Sequence, residues 1–305
     1  MNVMMIGHSG AGKTTYMAAM YNALYNGIHG FSINSESKKL HKQLTLIANK
    51  IQEGYYPSAT DIHKIYHFNL LYDGEEVLPF TWYDYRGGAL LQQKKGSKEV
   101  RELDEKICNS NALIIFFDGE KIMRNDYQVQ KEYRRTQLFI QRAISNLKED
   151  TSFPISLVVT KGDTPGLDIN KSPMIRHFNR MMKAMSENEK ITGLFTTTVI
   201  NERQVLNVHF PFLTSMFFGL KQERELLVKK IDEHKSQGNK YNDNANIIDD
   251  IWSFFADESS YRELASKEFN RARRKIAVYD ELIECSNSIA DLLDDAAKKG
   301  YVSFM

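Results

Sequence analysis

Residues 7–14 read Gly7-His8-Ser9-Gly10-Ala11-Gly12-Lys13-Thr14. The apolar run Val3-Met4-Met5-Ile6 stands directly before them, and a helix-compatible run, Tyr16-Met17-Ala18-Ala19-Met20-Tyr21, stands after. This is the pattern G-x-x-x-x-G-K-[ST] in the setting its chemistry needs, a strand entering a tight loop and a helix leaving it. A phosphate chain is held by backbone N–H groups that turn inward without Cβ clashes, and Gly7, Gly10 and Gly12 permit that. The whole stretch from Gly7 through His8, Ser9, Gly10, Ala11, Gly12, Lys13 and Thr14 to Thr15 is therefore a candidate nucleotide cradle. Lys13 reaches the β- and γ-phosphates, where it is also a candidate catalytic group, and the Thr14 hydroxyl is a candidate Mg²⁺ ligand. The N-terminus of the following helix adds its partial positive charge. An ordinary Gly-rich turn between strand and helix is the bland alternative, and it leaves the fixed positions of the pattern unexplained.

Two further stretches sit at the ends of apolar runs. Asp84-Tyr85-Arg86-Gly87 follows Trp82-Tyr83. A carboxylate leaving a sheet at that level can hold Mg²⁺ through a bound water, so Asp84 is a candidate metal residue. The Gly87 N–H is free to meet a γ-phosphate and is a candidate catalytic group. On its own D-x-x-G is common by chance, and Asp84 then merely begins a turn that Gly87 ends. Thr160-Lys161-Gly162-Asp163 follows Ile155–Val159. An ionised carboxylate only accepts hydrogen bonds, and guanine offers two parallel donors on its N1 and N2 edge where adenine offers none. Asp163 thus selects guanine, with Thr160 beside it and the Lys161 stem covering the base. The bland reading is a polar loop after a strand.

With these three motifs in order, the chain resembles the Ras-like small GTPases within the translation-factor-related class of P-loop GTPases. The resemblance spans residues 1–218. It implies that a threonine of the first switch loop ligates Mg²⁺ when GTP is bound. Thr60, in Tyr56-Pro57-Ser58-Ala59-Thr60-Asp61, stands where that residue is expected. It also implies a backbone contact to guanine O6 after the last strand, for which Thr198 in Thr197-Thr198-Val199 is the nearest match, a poor one. GTP/GDP and Mg²⁺ are the implied cofactors. The sequence departs from the family in two places. The position after D-x-x-G usually carries a water-orienting glutamine, and here it is Gly88. Hydrolysis is then expected to be slow, or its missing group comes from Arg86, Gln92, Gln93 or a partner's arginine. The second departure is an added helix, Ser37–Gln52, with Leu40, Leu44, Ile47 and Ile51 at helical spacing. It either covers the sheet edge or couples nucleotide state to a partner.

Length and composition fit this picture. The chain has 305 residues, 42% hydrophobic and 26% charged, with a net charge of +1. Those values suit a globular protein of about two domains, or one domain with a large appendage, and they give no field that favours nucleic acid or acidic lipid. The longest apolar stretch, Ala112 to Phe117, is far shorter than a membrane span. Only six residues precede Gly7, and Cys108 and Cys285 have no pairing pattern. No cleavable signal, disulfide framework or zinc site is expected, and the expected location is cytoplasmic.

Strand candidates are Val3–Ile6, His63–Tyr72, Val77–Tyr83, Ala112–Phe117, Ile155–Thr160 and Phe195–Ile200. Helix candidates between them are Thr14–Asn26, Ser37–Gln52, Lys98–Cys108, Asp126–Lys148 and Pro173–Met185. This alternation predicts an α/β P-loop three-layer sandwich, with a mostly parallel sheet and one antiparallel edge strand from a hairpin at Asp73-Gly74-Glu75-Glu76. From about Leu220 no strand signal remains. The expected division is a nucleotide domain over 1–218 and an all-α region over 219–305. That region has Leu220, Leu227, Ile231 and His234 on one helical face, a stripe at Ile247, Ile248, Ile251, Trp252 and Phe255, and a long helix from Ser259 to Lys298. The basic run Asn270-Arg271-Ala272-Arg273-Arg274-Lys275 offers a contact for nucleic acid or lipid headgroups, but net charge is near zero and acidic Asp291, Asp294 and Asp295 lie nearby, so it reads as a solvated face. The expectation is a Mg²⁺-dependent GTP-binding switch with slow or partner-stimulated hydrolysis. Its helical extension would meet a protein partner or a second copy. A pseudo-GTPase scaffold working through that extension is the alternative that Gly88 favours. A P-loop kinase or ATPase leaves Thr160–Asp163 unexplained.

Overall fold

The structure is a computed structural model. It describes residues 1–58, 64–85, 105–124, 126–145, 152–169, 175–238 and 282–304, with backbone only for 142, 143 and 226–238. In chain order the elements begin with β1 (Asn2–Gly7), α1 (Lys13–Tyr25), β2 (Phe31–Asn34), α2 (Lys38–Gln52), β3 (Lys64–Tyr72) and β4 (Glu75–Asp84). They continue with β5 (Ala112–Asp118), α3 (Gly119–Arg124), α4 (Tyr127–Ser145), β6 (Phe153–Thr160), α5 (Ile175–Ser186) and β7 (Ile191–Thr197). A small ribbon follows, β8 (Val199–Ile200) and β9 (Val205–Leu206), then α6 (His209–Gly238). Helix α7 covers residues 282–298, and β10 (Val302–Phe304) ends the described chain.

One eight-stranded sheet runs in the order β10-β7-β6-β5-β1-β4-β3-β2. Strand β1 pairs in parallel with β4 and β5, and β6 extends the parallel set to β7. The central strands are apolar throughout because both their faces are covered. Side chains of a strand alternate between faces, and the two cores divide accordingly. Val3 and Met5 of β1 join Ile114 and Phe116 of β5 in one cluster, while Met4 and Ile6 join Leu113, Ile115 and Phe117 in the other. The first cluster also holds residues of α1, α2, α6 and α7, and the second holds residues of α3, α4 and α5. The three-layer α/β sandwich expected from the sequence is the fold observed.

The β3–β4 hairpin turns at Asp73 (φ 48°) and Gly74 (φ 91°). Two successive left-handed residues suit the twist of a tight hairpin. Antiparallel pairing extends further than one edge strand: β2 pairs antiparallel with β3, and β10 pairs antiparallel with β7. Strand β2 was not anticipated, because it has only four residues and follows Gly27, His29 and Gly30, all at positive φ. The last strand forms from Ile191 to Thr197, earlier than the expected Phe195–Ile200, and Val199–Ile200 turns away into the β8–β9 ribbon.

The region expected to be all-helical contains a strand, β10, which completes one edge of the sheet. The expected boundary at 218/219 falls inside α6, which runs through it. Leu282, Cys285, Ile289, Leu293 and Ala296 of α7 and Val302 of β10 are buried in the same cluster as Val3 and Met17. The apolar stripe at 247–255, the basic run at 271–275 and the first part of the expected long helix lie outside the described residues. Among the described residues no helix is long and apolar enough to cross a membrane.

The added helix forms as α2. Ser37 caps it, its Oγ accepting from the Leu40 N–H at 3.2 Å. Leu44, Ala48 and Ile51 are its buried face, and Tyr21 of α1 meets His41 of α2 in a 2.9 Å hydrogen bond.

Candidate functional site

The loop after β1 turns through Gly10 (φ 81°) and Gly12 (φ 78°). Gly12 stands at the N-cap of α1 with no side chain capping the helix. A helix N-terminus of this kind carries a partial positive charge that suits an anion. Gly7 is required for another reason. A Cβ there would stand 2.9 Å from the Cβ of Phe116 on the paired strand β5, too close to be accommodated. The Lys13 ammonium donates to the Gly7 carbonyl oxygen at 2.8 Å. Burial pushes Lys13 below the ordinary lysine range, and nearby Asp84 pulls it back up.

Asp84 ends β4 beside the loop, paired with Met5 of β1 and Lys64 of β3. It is buried, and burial raises its carboxyl above the usual aspartate range, against Lys13 and Lys64. Among the described residues no three His, Cys, Asp or Glu side chains cluster so as to hold a metal.

Strand β6 ends at Thr160, whose Oγ1 donates to the Ala11 and Phe117 carbonyls at 3.2 and 3.1 Å. That side chain fixes the phosphate loop to the end of the sheet. Lys161 adopts a left-handed backbone (φ 53°), and its Nζ donates to Asp118 at 3.0 Å and to Glu120 at 2.8 Å. These carboxylates raise Lys161 above the ordinary lysine range, although burial opposes them. The other Asp118 oxygen accepts from the Glu120 and Lys121 N–H groups at the start of α3. The exposed Asp163 carboxylate accepts from Asn201 Nδ2 at 2.7 Å.

These pieces form one open cleft of about 540 Å³. Of the residues expected from the sequence, Ser9, Gly10, Ala11, Gly12, Lys13, Thr14, Thr15, Asp84, Thr160, Lys161 and Asp163 line it. Gly7 lies beneath the loop, against Phe116. The His8 side chain turns away from the cleft into α4. Its Nε2 meets the Glu132 carbonyl at 3.3 Å and Thr136 Oγ1 at 3.1 Å, and burial lowers its pKa to about 4. Thr198 is fully buried and does not line the cleft, and its N–H already donates to the Val159 carbonyl at 2.8 Å. Thr198 stands one residue past β7, yet its N–H is still tied to β6 where a free donor was expected. Thr60, Gly87 and Gly88, with Arg86, Gln92 and Gln93, lie outside the described residues.

Sequence reading missed the rest of the cleft wall, Tyr56, Pro57, Ser58, Glu120, Thr164, Pro165 and Ile200. Tyr56 precedes the segment that carries Thr60. Burial and the acidic Glu202 and Asp163 raise its phenol above the usual range, and Glu202 is its side-chain hydrogen-bond partner. No short motif marks this wall; only the tertiary return of the β8–β9 ribbon brings Glu202 to Tyr56.

Residues 2–209 match the family model described as Double-GTPase 2. No curated protein matches the chain. Among solved structures, that of the mammalian SRP receptor is similar at 12% identity and a TM-score of 0.36, over 67% of this chain and 93% of its own. The signal recognition particle receptor SRb-GTP/SRX complex from Chaetomium thermophilum is similar at 12% identity and a TM-score of 0.34, over 60% of this chain and 78% of its own.

Proposed function

Since the chain belongs to the Double-GTPase 2 family, and its sandwich is a small P-loop GTPase domain, we propose that it binds GTP and GDP with Mg²⁺ as a molecular switch. The observation that carries this reading is the single cleft that unites the phosphate loop, Asp84 and Asp163. The loop N–H groups and Lys13 hold the β- and γ-phosphates and stabilise charge that develops as water attacks the γ-phosphate. Thr14 and Thr60 would bind Mg²⁺ and Asp84 would hold one of its waters, and the bound ion would neutralise phosphate charge. The Gly87 N–H meets the γ-phosphate. Asp163 reads the guanine edge, and the Lys161 stem, fixed by Asp118 and Glu120, covers the base.

Gly88 cannot orient water, so hydrolysis is slow unless Arg86, Gln92, Gln93 or a partner supplies the missing group. The partner is a protein or a second copy that meets the helical part of the chain from residue 219 on. Equilibrium binding of GDP and ADP tests the base assignment. Preference for GDP, lost on Asp163→Ala, is expected; equal affinity for the two nucleotides refutes it. Gly88 also favours a second reading, a scaffold that holds the nucleotide without turnover. Single-turnover phosphate release, with and without a partner, distinguishes the two.

A further inference from the structure

The Asp163 carboxylate is exposed, yet it is not left to rotate. Asn201, in the turn between β8 and β9, donates from Nδ2 to Asp163 Oδ2 at 2.7 Å. The same side chain is locked at its other end: Oδ1 accepts from the Arg203 and Gln204 N–H groups at 2.9 and 3.0 Å. The backbone closes this turn as well, with the Asn201 N–H donating to the Gln204 carbonyl at 3.0 Å. At the base of the ribbon, Asn207 Nδ2 donates to the Thr197 carbonyl at 3.0 Å. Two backbone bonds hold the neighbouring loop in step, Gly162 N–H to Thr198 O at 2.9 Å and Thr198 N–H to Val159 O at 2.8 Å. Those bonds place the backbone of residue 163. Among the described residues, the Asn201 amide is the hydrogen-bond donor that fixes the plane of the carboxylate itself.

We propose that Asn201 is a positioning residue for base recognition, holding the Asp163 carboxylate in the plane that two parallel donors of guanine require. The inference rests on the proposed reading of Asp163 as the guanine-selecting group. A carboxylate has about four lone-pair directions, so the bond from Asn201 leaves Oδ1 and one direction on Oδ2 for N1–H and the 2-amino group. Fixing the plane beforehand removes an ordering cost that binding would otherwise meet. It matters most for a base that presents both donors. Hypoxanthine, which lacks the 2-amino group, uses one oxygen and depends less on the plane.

The test compares affinities for GDP, IDP and ADP in the wild type, Asn201→Asp and Asp163→Ala, with thermal unfolding of each nucleotide-free protein. Asn201→Asp keeps oxygens for the Arg203 and Gln204 N–H groups, removes the amide donor and sets a second carboxylate against Asp163, which turns the Asp163 plane away. The expected result is a GDP affinity lower by about tenfold, a smaller loss for IDP, and an unchanged melting temperature. The GDP-to-IDP ratio therefore narrows. An unchanged ratio in Asn201→Asp, with a collapsed ratio in Asp163→Ala, overturns the role of Asn201 and leaves the base assignment standing. An equal loss for all three nucleotides with a lower melting temperature means a purely structural turn and also overturns it. An unchanged ratio in Asp163→Ala overturns the base assignment and this inference together.

Discussion

The Lys13 ammonium sits 2.8 Å from the Gly7 carbonyl oxygen, so the cation of the phosphate loop is held by the residue that opens the loop. The contact is buried, and burial lowers the Lys13 pKa. An arriving phosphate offers a charged acceptor in place of a neutral one, a stronger bond by about 1 kcal/mol or more. Lys13→Met keeps much of the stem and removes the charge. Titration calorimetry is expected to show GDP affinity lower by about 10- to 100-fold, with the fold intact by circular dichroism. Unchanged affinity would mean that the backbone N–H groups alone bind the phosphates.

His8 makes the phosphate loop sensitive to acid. Its pKa is lowered to about 4, chiefly by burial, against about 6.5 in an unfolded chain. Between those values the unfolded state binds the proton and the folded state does not, so stability rises with pH through this window. The contribution is complete above about pH 6.5 and is lost as pH falls toward 4. Going from pH 7 to pH 5, His8 alone is expected to cost about 2 kcal/mol. His209, also lowered to about 4 by burial and by His29, adds to the wild-type slope. The difference between wild type and His8→Asn in urea unfolding at several pH values therefore isolates His8. Parallel curves would show that His8 titrates normally.

Asp84 should separate metal from nucleotide. Its carboxyl is raised above the usual range by burial, so acid removes its charge sooner than that of an exposed aspartate. Asp84→Asn keeps the shape and removes the charge. GTP binding measured with Mg²⁺ and with a chelator is expected to differ in the wild type by tenfold or so more than in the variant. The wild-type difference should shrink on acidification, at a pH above the ordinary aspartate range. An Asp84→Asn protein that keeps the full Mg²⁺ enhancement would remove Asp84 from the metal shell.

The elements that sequence made legible were those whose local pattern and tertiary role agree. Val3–Ile6 and Ala112–Phe117 are continuous apolar runs because both faces are covered, and Gly10 and Gly12 of the phosphate loop stand where φ is positive. The loop after β6 carries the proposed base-reading residue Asp163 in plain view of the sequence, but what holds that loop was not legible. Lys161 is fixed by Asp118 and Glu120, which lie more than forty residues earlier, and a Cβ on Gly119 would meet the Thr160 carbonyl at 2.6 Å. Such partners arise from strand order, which sequence periodicity does not carry. His8 shows the opposite failure: it lies inside the motif, yet its side chain serves α4. Short edge strands were missed because three or four residues hold too few alternations to register, as Phe31–Asn34 and Val302–Phe304 show.

The end of the chain gives the test of how the helical part relates to the sandwich. If residues 219–305 fold as a separate unit, removing the last five should leave the melting of the nucleotide domain unchanged. The packing argues otherwise. Val302 is buried, β10 pairs with β7 through Thr196, Phe195 and Leu194, and Thr196 Oγ1 donates to the Tyr301 carbonyl at 2.8 Å. Re-exposing one valine costs about 1.5 to 3 kcal/mol, and each lost hydrogen bond adds about 1 kcal/mol. Deleting residues 301–305 is therefore expected to lower the melting temperature by roughly 5 to 10 °C. The sheet edge it exposes is the β7 edge, next to the strand that leads into the Asp163 loop. Bound GDP should recover part of the loss, because a ligand of the folded state stabilises it by mass action. A truncated protein that melts at the wild-type temperature would show that β10 adds nothing to the sandwich and would support two independent units.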